Sequence, residues 1–211
     1  MSYRMNYNLG LLFLTFVLVS SPKSFGQVIS PYPRARISVN QYLFSGDKYK
    51  SLAESQSAVG ASIKVQSAGS HFAPFFGFNL LGLNGRQDFY DGGTTAVTSP
   101  FNYYSASTDI GLQYFILERS KKGMNIFLSG SGILGYNFIS LSKNTTLTTI
   151  PYSDKSFSYG YAAGIGAEFI FSGANNKWSL YLDAQIREES TQILDQNFDL
   201  GGLMISLGLG W

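Results

Sequence analysis

An apolar residue at every second position is the feature that most constrains this 211-residue chain. The pattern recurs in eight segments, at about 35–44, 58–66, 71–83, 103–117, 124–141, 157–171, 178–187 and 200–211. Period two is the signature of a β-strand with one apolar face. Most segments reach the ~9–11 residues that a tilted membrane strand needs, and after residue 26 no apolar run suits a membrane-spanning helix. The chain is therefore predicted to be all-β.

The direction of the apolar faces decides between a soluble barrel and a membrane barrel. The apolar faces of 58–66, 103–117, 157–171 and 178–187 carry no charge. The opposite faces are rich in Gly, Ser and Ala and carry Lys64, Asp109, Glu168, Asp183 and Arg187. Small residues suit a narrow barrel interior, whereas a soluble exterior favours long Lys and Glu side chains. The apolar faces are thus predicted to contact lipid, with a soluble lipid-binding barrel as the alternative.

Aromatic residues stand near the ends of several apolar faces. In the segment 157–171 they flank Ala163, Ile165 and Ala167. Transmembrane barrels have such aromatic girdles on both sides of an apolar band about 25 Å tall. The predicted girdle comprises Tyr104, Tyr114, Tyr159, Tyr161, Phe169, Phe171 and Trp178.

The connections between the segments alternate in length. The long ones are 45–57, 84–102, 142–156 and 188–199, and the short ones are 67–70, 118–123 and 172–177. Bacterial outer-membrane barrels combine long extracellular loops with short periplasmic turns and an even strand number. The prediction is an antiparallel up-and-down eight-stranded transmembrane β-barrel with both termini in the periplasm. The first strand fits the pattern least well, because Gln41 falls on its apolar face, where a shifted register or a bulge would explain it.

The first 26 residues have the order of a secretory signal peptide. Arg4 precedes the apolar run 9–19, and Ser24, Phe25 and Gly26 form a small-x-small exit. We expect cleavage near Gly26-Gln27, which leaves 27–211 as the barrel domain. Cleavage removes two of the 15 basic residues and none of the 13 acidic ones, so the mature chain is neutral and no nucleic-acid partner is expected. The sequence contains no Cys for a lipid anchor.

Six charged residues are assigned to the barrel interior. Buried charges are tolerated only when they are paired and hydrogen-bonded. An ion-pair network is therefore predicted among Arg36, Lys64, Asp109, Glu168, Asp183 and Arg187. We interpret it as structural filling of the lumen, and a narrow polar path or gate is the alternative.

The sequence offers little for catalysis. Its one His, His71, follows a short turn and lies at the end away from the long loops, and no Ser stands two residues after it. A His-dependent triad is therefore not expected. The sequence has no His/Cys cluster for a metal, and its Gly-rich stretches lack the Lys-Ser/Thr of a phosphate loop. No catalytic residue, cofactor or metal site is predicted.

The strand alternation and the final stretch GLMISLGLGW resemble the small eight-stranded outer-membrane barrels of the OmpA/OmpX type. The resemblance implies a bacterial outer-membrane location, with the membrane lipid and lipopolysaccharide as partners. It also implies insertion by the barrel-assembly machinery, which reads a final amphipathic strand ending in an aromatic residue. Here Trp replaces the usual Phe, and the signal would comprise Leu203, Ile205, Leu207, Leu209 and Trp211. The periplasmic domain of OmpA is not expected.

These observations favour a non-enzymatic outer-membrane barrel with a structural, adhesive or surface-interaction role. The alternative is a porin-like narrow pore for small solutes, and an envelope enzyme acting on lipid is a third possibility. The loop 84–102 mixes aromatic and charged residues. It would either bind an extracellular partner, whose identity the sequence does not give, or pack on the barrel rim.

Overall fold

The computed structural model describes residues 35–45, 57–90, 96–144, 149–172, 177–193 and 196–211. They lie within one compact unit, Pro31–Trp211. The predicted signal peptide, 1–26, lies outside the described residues. The described part of the chain contains no helix that is long and apolar enough to cross a membrane.

The described residues form nine β-strands and several of the turns between them. They are β1 (Ala35–Phe44), β2 (Ser57–Gln66), β3 (Phe72–Tyr90), β4 (Ala96–Phe115), β5 (Gly123–Asn144), β6 (Thr149–Ser172), β7 (Lys177–Ile193), β8 (Gln196–Asp199) and β9 (Gly202–Gly210). Every pairing is antiparallel, and consecutive strands from β1 to β7 are neighbours. The short β8 and the longer β9 both pair with β7, and residues 200–201 separate them. They therefore count as one interrupted strand.

The sheet closes on itself between the first and the last strand. β9 pairs with β7 on one side and with β1 on the other. The seam ends where the backbones of Ala35 and Trp211 exchange two hydrogen bonds, of 3.1 and 2.9 Å. The result is a closed eight-stranded antiparallel barrel, which confirms the predicted fold class.

The side chains alternate between the two faces of the wall. β9 is alternately buried and exposed along its whole length, and β1 departs from this only at Ala35. The exposed face is dominated by large apolar side chains, as in a transmembrane barrel whose exterior contacts lipid. Gln41 lies on this outer face, opposite Val59 and Ile205 in a regular register. The first strand has neither the shift nor the bulge that the sequence suggested.

Three hairpins are longer than predicted. β3 continues to Tyr90 and β4 begins at Ala96, so the predicted loop 84–102 is mostly strand. β5 and β6 likewise pair as far as Asn144 and Thr149, and β7 runs to Ile193. Beyond the lipid both faces of a strand meet water, so its sequence has no apolar alternation there. The predicted strand ends were wrong at these positions for that reason.

The two ends of the barrel differ in their connections. We call the end with residues 67–71, 116–122, Ala35 and Trp211 the turn end. The opposite end, where β1, β3, β5 and β7 finish, is the loop end. Within the described residues, the interior contains two clusters of buried apolar side chains, one toward each end.

Candidate functional site: the barrel lumen

The six charged residues assigned to the interior all lie inside the barrel. The most exposed of them, Lys64, has 7% of its surface accessible. The strand pleat places them there, because successive side chains point to opposite faces. Since charges in a protein interior need partners, their contacts determine what the lumen can do.

Two ion pairs cross the middle of the lumen. Arg187 on β7 donates from Nη1 and Nη2 to the two carboxylate oxygens of Asp109 on β4, at 3.0 and 3.2 Å. Lys64 on β2 lies with its Nζ 3.7 Å from Asp183 Oδ2 on β7. Gln185 donates to the same Asp183 oxygen at 2.7 Å. The two ion pairs tie β7 to β4 and β2, neither of which is its neighbour in the sheet.

Arg36 is held in a different way, although it was predicted within the same network. Its guanidinium carbon lies 3.7 Å from the centroid of the Tyr181 ring. It donates to Gln66 and, at 2.8 Å, to Gln113, which in turn donates to the Tyr181 hydroxyl at 2.5 Å. An aromatic face and two amides thus surround this cation, which forms no ion pair with the described carboxylates.

Glu168 has a partner that the sequence analysis missed. Arg119, in the turn between β4 and β5, donates from Nε and Nη2 to the two Glu168 oxygens at 2.7 and 2.6 Å. The Arg119 guanidinium lies over Phe115, 4.7 Å from the ring centroid. The Arg119 backbone N–H also donates to Ser70 of the neighbouring turn, at 2.9 Å. This turn therefore folds a charged side chain back into the barrel.

No sequence signal separates Arg119 from the other cations of its turn. The stretch ERSKKG also contains Lys121 and Lys122, and both are exposed. The strand period cannot decide among the three, because β4 ends at Phe115 and the pleat no longer fixes side-chain directions beyond it.

Glu189 is a second interior charge that the sequence analysis missed. Its Oε2 lies 3.9 Å from Nη2 of Arg187, and Ser158 donates to its Oε1 at 2.5 Å. It was missed because the predicted strand ended at residue 187, whereas β7 continues to Ile193. Extending the alternation by one period would have placed it inside.

An aromatic layer closes the lumen near the turn end. Phe127 lies between Phe115 and Tyr181, with ring centroids 5.7 and 5.1 Å away, and it stacks on Tyr181. Gly166 makes room for the layer, since a Cβ there would come within 2.1 Å of Phe127 Cζ. We call Phe115, Phe127, Tyr181 and the adjacent Ala73 the turn-end layer.

A larger apolar cluster closes the loop end. We call it the loop-end layer, and it comprises Tyr42, Phe44, Ala58, Leu83, Tyr103, Ile139, Leu200 and Met204. Its two tyrosine hydroxyls are satisfied inside, because Tyr42 donates to the Leu200 carbonyl at 2.6 Å and Tyr103 to Asn137 at 2.7 Å. A cavity of about 30 Å³ lies between this layer and Arg187. That is space for one or two water molecules.

The predicted girdle residues all lie on the outer face. Tyr114, Phe169, Phe171 and Trp178 are near the turn end, and Tyr104, Tyr159 and Tyr161 are nearer the loop end. Phe171 and Trp178 stack with their ring centroids 4.5 Å apart. The residues of the predicted assembly signal, Leu203, Ile205, Leu207, Leu209 and Trp211, also point outward.

No family model and no curated protein matches the sequence. Among solved structures, it is similar to Ail, the attachment invasion locus protein of Yersinia pestis, crystallised with the heparin analogue sucrose octasulfate. The identity is 15%, over 84% of this chain and 95% of that one, with a TM-score of 0.44. Neisserial surface protein A is 15% identical, over 83% and 94%, at a TM-score of 0.40. The N-terminal β-barrel domain of Pseudomonas aeruginosa OprF is 12% identical, over 84% and 96%, at 0.33.

Proposed function

We propose that the protein is a sealed, non-enzymatic barrel of the bacterial outer membrane that displays hairpins at the cell surface. Its role would then be structural, adhesive or another form of surface interaction. The filled lumen is the observation that carries this proposal. Between the two apolar layers lie the ion pairs of Arg187 and Lys64, and Arg119 adds a third pair at the turn end.

The packing of this interior argues against transport. An eight-stranded barrel is just wide enough for side chains to fill it. The turn-end and loop-end layers exclude water because their members are almost fully buried. An ion would have to displace both layers and separate buried ion pairs, which is costly when the partners are left uncompensated.

The loop-end hairpins supply the interaction surface in this proposal. Among the described residues, the β2–β3 pairing ends at Val59 and Gly82, whereas β3 continues to Tyr90 and stays paired with β4. In the described part of the chain, the outer part of β3 therefore has no strand partner on its β2 side. Free strand edges present backbone donors and acceptors that an extended peptide can pair with.

The placement in the cell belongs to the same proposal. A cleaved signal peptide of 1–26 directs export, and the strand ending in Trp211 directs insertion by the barrel-assembly machinery. Both termini would then lie in the periplasm and the hairpins outside, with membrane lipid and lipopolysaccharide around the apolar exterior. Supporting this placement, the outer face is apolar, with aromatic residues near both ends.

Conductance of the refolded full chain in a planar bilayer tests the sealed lumen. We expect no stepwise conductance from the wild type. A porin reconstituted in the same bilayer serves as the sensitivity control. The combined variant Arg119→Ala and Phe127→Ala opens only the turn end, so it should also stay closed, because the loop-end layer and the central ion pairs remain. Steady channel steps from the wild type would instead support the narrow-pore alternative, for which the cavity beside Arg187 is the favouring observation.

A gel assay checks the barrel independently of transport. A folded barrel migrates differently before and after boiling, and a band that never shifts would count against the barrel itself.

A further inference from the structure

The outer part of β3 is a strand edge that can accept another strand. Its pairing with β2 ends at Gly82, and among the described strands it pairs with β4 alone from there to Tyr90. The β3–β4 register stays regular to the last pair, Tyr90 with Ala96. A regular, extended edge is a template for pairing with another chain. Its backbone directions and its charges indicate which chain fits.

The β2–β3 ladder shows which backbone groups point toward the open side. The Pro74 carbonyl accepts a hydrogen bond of 2.9 Å from the N–H of Ser67, directly after β2. Backbone groups of an antiparallel strand alternate between its two neighbours, and β3 keeps one register with each of them. Its even-numbered residues therefore direct their N–H and C=O groups toward the β2 side. Beyond the β2 pairing, these residues include Arg86 and Asp88.

The sequence of this edge complements itself when a second copy pairs with it in the antiparallel direction. With Gln87 opposite Gln87 of the second copy, each Arg86 lies opposite an Asp88. Each Gly85 then lies opposite a Phe89. Cross-strand pairs of opposite charge stabilise a sheet, and an aromatic residue opposite an edge glycine does so too. Arg86 and Asp88 also direct their backbone groups toward each other, as a hydrogen-bonded pair requires.

The neighbouring two-fold registers fit less well. Moving the symmetry axis from Gln87 to Arg86 places two arginines opposite each other, and moving it to Asp88 does the same with two aspartates. Like charges directly opposite each other are destabilising. An axis between two residues would pair even-numbered with odd-numbered positions, whose backbone groups point toward β4. Charge and backbone direction thus favour the register centred on Gln87.

Antiparallel pairing determines how the two barrels are oriented. β3 runs from the turn end to the loop end, so an antiparallel second copy points its loop end at the first. Two copies in one membrane point their loop ends the same way, and the paired copies must therefore lie in two facing membranes. The two Gly82 positions would be roughly ten residues, or about 33 Å, apart along the strands.

We propose that the outer edge of β3 binds the same edge of a second copy in a facing membrane, so that the protein joins two cells that both carry it. The contact is isologous, with the same surface used on both copies. This inference deepens the proposed function and rests on it for the outward placement of the hairpins.

Lipid nanodiscs test the pairing, because both faces of a disc are accessible. Each disc holds one copy of the refolded full-length protein, and its scaffold carries either a donor or an acceptor dye, so that energy transfer reports paired discs. We expect wild-type discs to pair, and electron microscopy should show two discs facing each other through the loop ends. Since opposite charges contribute, added salt should weaken the pairing.

Charge reversals test the register. Arg86→Glu or Asp88→Arg alone places like charges opposite each other twice, and pairing should weaken about tenfold, or by roughly 1.4 kcal/mol. Discs with Arg86→Glu mixed with discs with Asp88→Arg regain two pairs of opposite charge and should bind each other as the wild type does. Lys155→Glu reverses an exposed charge on β6 and should leave pairing unchanged. The boiling-dependent gel shift shows that each variant is folded.

Four outcomes would overturn the inference. Wild-type discs that stay single would do so, as would single charge reversals that pair as tightly as the wild type. Mixed reversals that fail to restore pairing would show that Arg86 and Asp88 do not lie opposite each other. Pairing found only between two copies within one disc would assign the edge to a neighbour in the same membrane. All four leave the sealed lumen and a surface role with another partner untouched, so the two proposals fail separately.

Discussion

Replacing Glu168 by Ala tests whether the charges of the lumen are structural filling. The substitution leaves the buried Arg119 guanidinium without the carboxylate that accepts two of its hydrogen bonds. The Arg119 side chain has 0% and Glu168 2% of its surface accessible, so little solvent screens the loss. Breaking a buried ion pair by removing one partner typically costs 3–5 kcal/mol, and we expect a loss of about 4 kcal/mol in the free energy of unfolding.

Urea unfolding of the barrel in phospholipid vesicles measures this loss. The control is the double variant Arg119→Met with Glu168→Leu, which removes both charges and should recover most of the stability, because apolar replacements of a buried pair are often neutral. A loss below about 1 kcal/mol with unchanged conductance would mean that Glu168 has no structural role, contrary to the filling interpretation. A small loss with raised conductance would show instead that the Arg119 turn swings out as a gate.

Three further substitutions test other parts of the structure. Gly166→Ala should destabilise the barrel by about 1–3 kcal/mol in the same urea assay, because its Cβ would overlap Phe127; unchanged stability would refute the turn-end layer. Gly123 has φ of 93°, so Gly123→Ala should cost about 1 kcal/mol while leaving conductance unchanged. Trp211→Ser should reduce the heat-modifiable protein recovered in the outer-membrane fraction of expressing cells, whereas refolding in vitro should change little; equal recovery would argue against an assembly signal.

The architecture was predictable because successive side chains of a strand point to opposite faces, so the place of a residue in the alternation predicts whether it faces the lumen or the lipid. Lys64 and Asp183 stand on faces with period two, so their interior position follows from the residues beside them. The same reasoning applies only to the part of each strand that contacts lipid. Residues such as Asp154 on the extended β6 lie where both faces are wet, and no apolar alternation reveals the strand.

The composition of the lumen was less predictable. Phe115 and Phe127 lie inside, although the interior was expected to be small and polar. The segment with Phe127 has apolar residues on both faces, so alternation alone leaves its direction open. The interior position of Arg119 was missed for another reason. Arg119 lies in a turn, where side chains no longer alternate between two faces, so the strand period does not predict their direction.

The ion pairs of the lumen also have a consequence for how the barrel forms. Arg187 and Asp109 are 78 positions apart in the chain, and Arg119 and Glu168 are 49 apart. Neither the Arg187–Asp109 contact nor the Lys64–Asp183 contact can exist in an open sheet, since each joins strands that are not neighbours. Contacts of such large sequence separation slow folding. Their attraction arises only as the seam between β1 and β9 closes, so this last step should make assembly cooperative and disfavour half-closed intermediates.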